Sequence, residues 1–321
     1  MVVIMPLHSA PASPIVDVGV IGSINQDTIE HADGRLEQSL GGVLFSACAL
    51  AHLGGGSLRV WLLARANCRL ASHLRQWLAD VPGLCLGGLF EISDPGYRCR
   101  ITYDEQGGKT EVLSGGVAPL TLAELSPFLP RLQALVVNFI TGLELDLGTL
   151  RAVRESLDGP LLMDVHSLTL GRRDDGTRFG RAPANADAWL ALADVVQMNE
   201  VEAHILGAPS DAGSEELMDW ATTLLEYGPG MAVITRGADG SVAAARRTDG
   251  SLERLSEAAP AVGAGQPELD PTGCGDVFLA ALTAARVRGA DWQTVLEEAN
   301  RAAAYNCLLT GIDELHRLAR D

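Results

Sequence analysis

An α/β fold, doubly wound around a mostly parallel sheet with helices on both faces, is what this sequence predicts. Three observations predict it. Short apolar runs rich in β-branched residues alternate with longer runs of helical character, the pattern of strands crossed over by helices. Glycine-rich and polar clusters follow directly on those apolar runs, at the strand ends where such sheets place their ligands. The 321 residues, 47% of them hydrophobic, suffice for one large unit with an appendage.

Strands are expected over 16–21, 60–64, 134–139, 161–165, 195–198 and 231–235, each a short apolar run bounded by polar or glycine residues. Helices are expected over 44–53, 72–80, 147–157, 214–226, 276–288 and 294–309. Two segments break the alternation. Residues 28–40 alternate polar and apolar around an Ala-Asp-Gly turn. Residues 97–103 and 110–113 read as a hairpin across Asp104-Glu105-Gln106-Gly107-Gly108-Lys109. Residues 171–188 form a charged insertion that is either a surface loop or a cover for the site. Residues 1–14 form a tail that lacks a basic start and is broken by Pro6 and His8, so neither a signal peptide nor a membrane span is expected there.

Composition excludes several classes. With 24 basic against 41 acidic residues, net −17, a nucleic-acid or anionic-membrane surface is not expected. Lys109 is the single lysine, which fits either a GC-rich genome or an acidic surface adapted to high salt. Gly108-Lys109-Thr110 mimics the end of a P-loop. The first glycine of that motif would fall on Tyr103 and no helix follows, so a P-loop enzyme is excluded. The six cysteines (48, 68, 85, 99, 274, 307) have no close spacing of metal-ligand type, and most read as buried thiols of a reducing cytosol. A soluble, cytoplasmic protein is the expectation.

The run Asp270-Pro271-Thr272-Gly273-Cys274-Gly275-Asp276, followed by an Ala-rich helical stretch, carries the most chemistry. Backbone N–H groups of a glycine turn feeding a helix N-terminus make a seat for phosphate. A carboxylate beside that seat would repel a phosphate, so Asp276 makes little sense for binding alone. It makes sense as a base that takes the proton of an attacking hydroxyl. The bland alternative is a glycine turn opening a core helix with Asp as a cap.

This run resembles the C-terminal signature of the ribokinase-like (PfkB) carbohydrate kinases, and other stretches resemble the family's motifs in the right order. Gly22-Ser23-Ile24-Asn25-Gln26-Asp27 is similar to its first sugar-binding turn, and Gly41-Gly42 to its Gly-Gly motif. Asn199-Glu200-Val201-Glu202 is similar to its Asn-x-x-Glu, and Thr235-Arg236-Gly237-Ala238-Asp239-Gly240 to its nucleotide-side loop. The resemblance spans 15–321 and implies one kinase domain. Within it, 28–40 and 97–115 resemble the small β lid that covers the sugar and often supplies a dimer contact.

The resemblance implies an ATP- and Mg²⁺-dependent kinase acting on a hydroxymethyl group of a small sugar, with a nucleoside as the alternative acceptor and a monovalent cation as a further cofactor. A non-catalytic sensor or scaffold is the reading from another class. Asp276 would be the base, and Gly273, Cys274 and Gly275 would offer N–H groups to the transferred phosphoryl. Asn199 and Glu202 would hold Mg²⁺ and its waters, with Glu200 as a substitute; both also read as a capping box. Thr235, Gly237, Gly240 and Thr272 would line the nucleotide side, and Asn300 would approach the adenine. Asn25, Asp27, Gly41, Gly42, Ser46 and His166 would face the acceptor. Ribokinases read Gly-Gly-Lys-Gly-Ala-Asn where this chain reads Gly41-Gly42-Val43-Leu44-Phe45-Ser46, which puts ribose specificity in doubt. The family's Asp-x-Asn-x-Arg stands here as Asp164-Val165-His166-Ser167-Leu168, and the missing Arg argues against a sugar acid.

Overall fold

The structure is a computed structural model, in which residues 14–104, 108–263 and 269–320 are described. The chain opens with β1 (Val16–Ile21), β2 (Ile24–Glu30), β3 (Leu36–Gly42), α1 (Val43–Leu53), β4 (Leu58–Asn67) and α2 (Cys68–Trp77). There follow β5 (Leu84–Cys85), β6 (Leu89–Ile92), β7 (Gly96–Tyr103), β8 (Lys109–Gly116), α3 (Leu122–Leu125), β9 (Ala134–Asn138), α4 (Leu147–Ser156) and β10 (Leu161–Asp164). Then come β11 (Leu170–Arg172), β12 (Arg178–Gly180), α5 (Ala186–Leu190), β13 (Val195–Asn199), α6 (Glu200–Ile205) and α7 (Ser214–Leu224). The last elements are β14 (Met231–Thr235), β15 (Ser241–Arg246), β16 (Leu252–Glu257), α8 (Cys274–Val287) and α9 (Trp292–Asn306), with a 3₁₀ run at Ile312–Arg320.

The main sheet has the order β16-β15-β14-β13-β10-β9-β1-β4-β5, with β6 also paired to β4. From β4 to β14 every pairing is parallel; β15 and β16 add an antiparallel edge. Strands buried on both faces lose the polar–apolar alternation, and successive residues instead feed two separate cores. In β9, Ala134 and Val136 pack with α1, α2, α8 and α9, while Leu135 and Val137 pack with α4 and α7. The same parity runs through β14, where Met231 and Val233 face one core and Ala232 and Ile234 the other. The doubly wound architecture is therefore as the sequence predicts.

Differences fall at element ends and edges. The helix expected over 72–80 begins instead at Cys68, because Asn67 accepts a hydrogen bond from the Leu70 N–H and caps it there. The Ala-rich β15 and its partner β16 carry no strong strand signal, and the pairing comes from the edge of the sheet that β14 offers.

A second sheet, β3-β2-β7-β8, forms the lid-like appendage. Residues 105–107, within the hairpin expected between β7 and β8, lie outside the described residues, as do most of the tail and 264–268. The charged insertion folds as the two-stranded β11–β12 ribbon and attaches to the lid. Leu113 N–H donates to Gly176 O at 2.9 Å, and Arg172 reaches Gly115 O. Among the described residues, no helix is long and apolar enough to cross a membrane.

Candidate active site

Apolar strands that end on a polar residue build the site. β9 ends on Asn138, β10 on Asp164, β13 on Asn199 and β14 on Thr235, all at the C-terminal edge of the sheet. Against this edge α8 begins. Gly273, its N-cap, sits at φ +74°, and a Cβ there would collide with the buried ring of Phe45. Among the described residues no side chain caps α8, so its first-turn N–H groups are free of a side-chain partner there.

Asp276 lies in that first turn, partly buried. Ser46 Oγ donates to its Oδ1 at 3.0 Å and Asn138 Nδ2 donates to the same oxygen at 2.5 Å. Asn138 Nδ2 also reaches Ser46 Oγ at 2.8 Å, so the three side chains form one knot. Both donors fall on Oδ1, and among the described residues no side chain donates to Oδ2. Burial raises the Asp276 carboxyl above its usual range, while His166, Asn138 and Ser46 pull it back down.

Gln197 joins two strand ends to this turn. Its Nε2 donates to Asp164 Oδ2 at 3.2 Å and to Gly275 O at 3.0 Å. Asp164 is raised by burial and by the charge of Glu202. Beside it, His166 Nδ1 donates to Glu202 Oε1 at 3.0 Å. Burial alone would lower the imidazole, but the hydrogen bond and charge of Glu202, with Asp164 and Asp276, carry it up to about 10. At neutral pH His166 is therefore an imidazolium among carboxylates. Asp27 belongs to the same field: burial first, then Glu111 and Asp276, push it up to about 7, against the opposing charge of Lys109.

Asn199 and Glu202 form the capping box that the sequence also allowed. Asn199 N–H donates to Glu202 Oε2 at 2.8 Å, and Glu202 N–H donates to Asn199 Oδ1 at 2.9 Å. Asn25 is buried in β2 with its Oδ1 unpartnered. Gly41, opposite Asn25, leaves the space that the Asp27 carboxylate fills. Gly42 is demanded by the fold itself: at φ +68° it turns β3 into α1 where a Cβ would meet Ser23 O. Thr235 Oγ1 donates to Met198 O at 3.5 Å, and Gly237 and Gly240 bracket the tight turn between β14 and β15.

Two expected site residues are engaged inside the protein. Cys274 N–H donates to Pro271 O at 3.2 Å, within the turn. Asn300 lies beside the nucleotide-side loop, one residue from Gly240 through its bond to Ser241. It is buried in α9 with Nδ2 donating to Ser241 Oγ at 2.8 Å and to Leu296 O at 2.9 Å.

Four residues went unassigned in the sequence: Asn138, Asp164, Gln197 and Asn306. The last donates from Nδ2 to Thr272 O at 2.9 Å, and Thr272 N–H donates to Asp270 Oδ1, so the exposed loop before α8 is pinned from both sides. A polar residue closing an otherwise apolar strand was the available signal for Asn138 and Asp164. Nothing local marks Asn306, which acts on a loop more than thirty residues away.

Comparison with known proteins bears on this geometry. Residues 177–315 match the family model described as pfkB family carbohydrate kinase, a span that holds Asn199, Glu202, Thr235 and the Gly273–Asp276 turn. Solved structures match over nearly the whole chain. A pyrophosphate-dependent kinase in the ribokinase family, seen as a sulfate complex, is 18% identical over 92% of this chain and 96% of its own, with a TM-score of 0.74. Arabidopsis thaliana ribokinase, complexed with ribose and ATP, is 18% identical over 96% of this chain and 100% of its own, with a TM-score of 0.72. Burkholderia thailandensis nucleoside kinase, in complex with inosine, is 18% identical over 93% of each chain, with a TM-score of 0.67. The fold is thereby ribokinase-like, an α/β architecture with a second, four-stranded sheet appended. Family match and fold together bear out the resemblance to the PfkB carbohydrate kinases.

Proposed function

We propose that the protein is a kinase that transfers the terminal phosphoryl group of ATP to a hydroxymethyl group of a small, neutral polyhydroxy compound, a sugar in the first instance. The observation that carries this is the Asp276 knot. Two neutral donors hold Oδ1, Oδ2 is left open, and the carboxylate stands in the uncapped first turn of α8. Oδ2 takes the proton of the acceptor hydroxyl as its oxygen attacks, and the glycine N–H groups of the turn meet the charge on the moving phosphoryl. Asp276 then gives up the proton to solvent.

The residues fit a hydrated magnesium ion held at one remove. Glu202 Oε1 already accepts from Asn199 Nδ2 and His166 Nδ1, and Oε2 accepts from Asn199 N–H, so little of the carboxylate is left for direct ligation. Among the described residues, no group of three or more His, Cys, Asp and Glu side chains converges as a direct ligand shell. Asn199 and Glu202 would therefore hold the ion through its waters, which magnesium gives up reluctantly. Burial raises Asp27, Asp164 and Asp276, and the charge of Asp276 adds to the first two, a cost that a nearby cation would relieve. When bound, the ion neutralises phosphate charge.

A neutral acceptor suits the same groups, since Asp27 and Asp164, raised toward the neutral form, and Asp276 offer hydrogen-bond partners for hydroxyls. A sugar is favoured over a nucleoside because the aromatic residues near the acceptor side are engaged. Tyr97 is buried with its hydroxyl donating to Val117 O, Phe45 is covered by Gly273, and Tyr103 stacks on His31. None is left to stack on a base. For the donor a second reading has support. The Asn300 amide is already committed to Ser241 Oγ and Leu296 O, and one similar structure is a pyrophosphate-dependent kinase.

The test is a matrix of donors (ATP, pyrophosphate) and acceptors (sugars, cyclic polyols, nucleosides, sugar phosphates) with magnesium, read as phosphorylated product. Turnover with a neutral sugar and ATP is the expected result, and turnover with pyrophosphate alone would move the donor assignment. Binding of ATP with no product from any acceptor would overturn the kinase reading in favour of a sensor.

A further inference from the structure

The six cysteines are far apart in sequence, yet two of them meet beside the α8 turn. Cys274 is the first residue of α8 and Cys307 the residue that closes α9, and their sulfurs lie 3.1 Å apart. That is about 1 Å longer than a disulfide bond. Their surroundings hold them face to face. Asn306 Nδ2 donates to Thr272 O and contacts Cys274 Sγ at 3.4 Å, and Asp270 N–H donates to Cys307 O at 2.9 Å. Both residues are partly exposed, so a small oxidant can reach them.

The remaining thiols differ in kind. Cys48 and Cys99 are buried, and burial raises both thiols. Cys68 and Cys85 are also raised, the first by its hydrogen bond to Glu91 and the second by burial. Cys307 alone among them is lowered, because Cys274 donates a hydrogen bond to its sulfur and so favours the thiolate. One thiol of the pair is thus primed to attack, and the other stands ready to resolve.

We propose that Cys274 and Cys307 form a reversible disulfide on exposure to a peroxide, and that the bond closes the Gly273–Asp276 turn to the phosphoryl donor. The Cys307 thiolate attacks one peroxide oxygen, the O–O bond breaks, and a sulfenic acid and water result. The Cys274 sulfur then displaces hydroxide from that sulfenic acid, so that two thiols and one hydrogen peroxide become one disulfide and two waters. A small dithiol reverses the step by exchange. Closing the gap drags the first residue of α8 toward the end of α9. Displacement of about 1 Å within a reacting site can lower turnover on the order of 100-fold. Only this second half of the proposal rests on the kinase reading; the bond itself does not.

The experiment treats the reduced full-length protein with a slight excess of hydrogen peroxide, with and without later dithiothreitol, beside Cys307→Ser. It reads free thiols in denaturant, a peptide map by mass spectrometry, ATP affinity by calorimetry, and turnover with whichever acceptor is found. The expected result is a linked peptide pair carrying positions 274 and 307, the loss of a pair of thiols, and ATP affinity and turnover lowered at least about tenfold. Dithiothreitol should restore all of them, and Cys307→Ser should keep its activity under peroxide. Absence of the linked peptides, or a sulfenic acid that goes no further, overturns the bond. Linked peptides with ATP affinity unchanged overturn the switch. A reduced protein that binds ATP but never turns over counts against the kinase reading alone, since the peptide map and the calorimetry are still read.

Discussion

Two helices begin at the same edge of the sheet, and they begin differently. α6 starts at Asn199 with both ends of a capping box closed by Glu202, so its first-turn donors are satisfied by its own side chains. α8 starts at Gly273 with no side-chain cap, in a left-handed conformation that only glycine adopts cheaply. The first helix presents finished carboxylate and amide chemistry to its surroundings. The second presents unfinished backbone donors beside a carboxylate. The lesson is that a self-capped helix start suits a hydrated cation, whereas an uncapped one suits the anion that the cation accompanies.

The hardest way to break this contrast is to neutralise the carboxylate on the open side. Asp276→Asn should lower turnover about 10³-fold while ATP affinity by calorimetry stays within a few-fold, since the phosphate donors are backbone. Near-normal turnover in that variant would remove Asp276 as the base. Next in size is the open turn itself. Gly273→Ala forces a φ of +74° on an alanine and drives its methyl into Phe45. Urea unfolding should show a loss of about 1–2 kcal/mol, and turnover should fall about 100-fold.

On the closed side, Glu202→Gln keeps a capping box but not the charge. The magnesium concentration for half-maximal rate should rise about tenfold, and some stability is lost as well because the His166 imidazolium gives up its charged partner. Lost stability with unchanged magnesium demand would leave Glu202 as a cap and nothing more. Asn138→Ala sharpens the contrast through pH. Asp276 acts only when deprotonated, burial already raises its carboxyl, and Asn138 holds it down. Without that donor the acid limb of the rate profile should move to higher pH, with the loss confined to the acid side and little change in alkaline buffer.

The smallest expected effect concerns Asp27, whose carboxyl is pushed up to about 7. A carboxyl raised on folding contributes stability below its unfolded value, and that contribution is lost as pH rises through the folded value. Asp27→Asn should therefore be more stable than the parent at about pH 8 and no more stable at about pH 4, while binding the acceptor more weakly. Equal stability at both pH values would show that Asp27 is not buried as described.

Local chemistry was legible in the sequence; relations across the fold were not. The Gly273–Asp276 turn and the Asn199–Glu202 pair announce themselves because spacing alone puts them on helix starts. Apolar runs such as Ala134–Asn138 and Met231–Thr235 are equally plain, since a strand buried on both faces has little choice of composition. Asn138, Gln197 and Asn306 were missed because their partners lie far along the chain, and no periodicity encodes a contact between Gln197 and Gly275. Asn300 was named for its place in the last long helix, and its bond to Ser241, next to Gly240, is a contact that place alone did not reveal. Cys274 and Cys307 read as unrelated thiols, and only the packing of α8 against α9 makes them neighbours.

The β11–β12 ribbon has a bearing on how such a protein diversifies. It carries none of the proposed chemistry, yet it ties β8 of the lid to the body through Leu113, Gly176 and Arg172, and it is itself anchored by Arg178, whose Nη2 donates to Ser167 O one residue past His166. Insertions or deletions there would reset how the β3-β2-β7-β8 sheet sits against the body without touching a residue of the proposed site. On the kinase reading, acceptor preference could be changed by editing an outrigger while the engine is left alone.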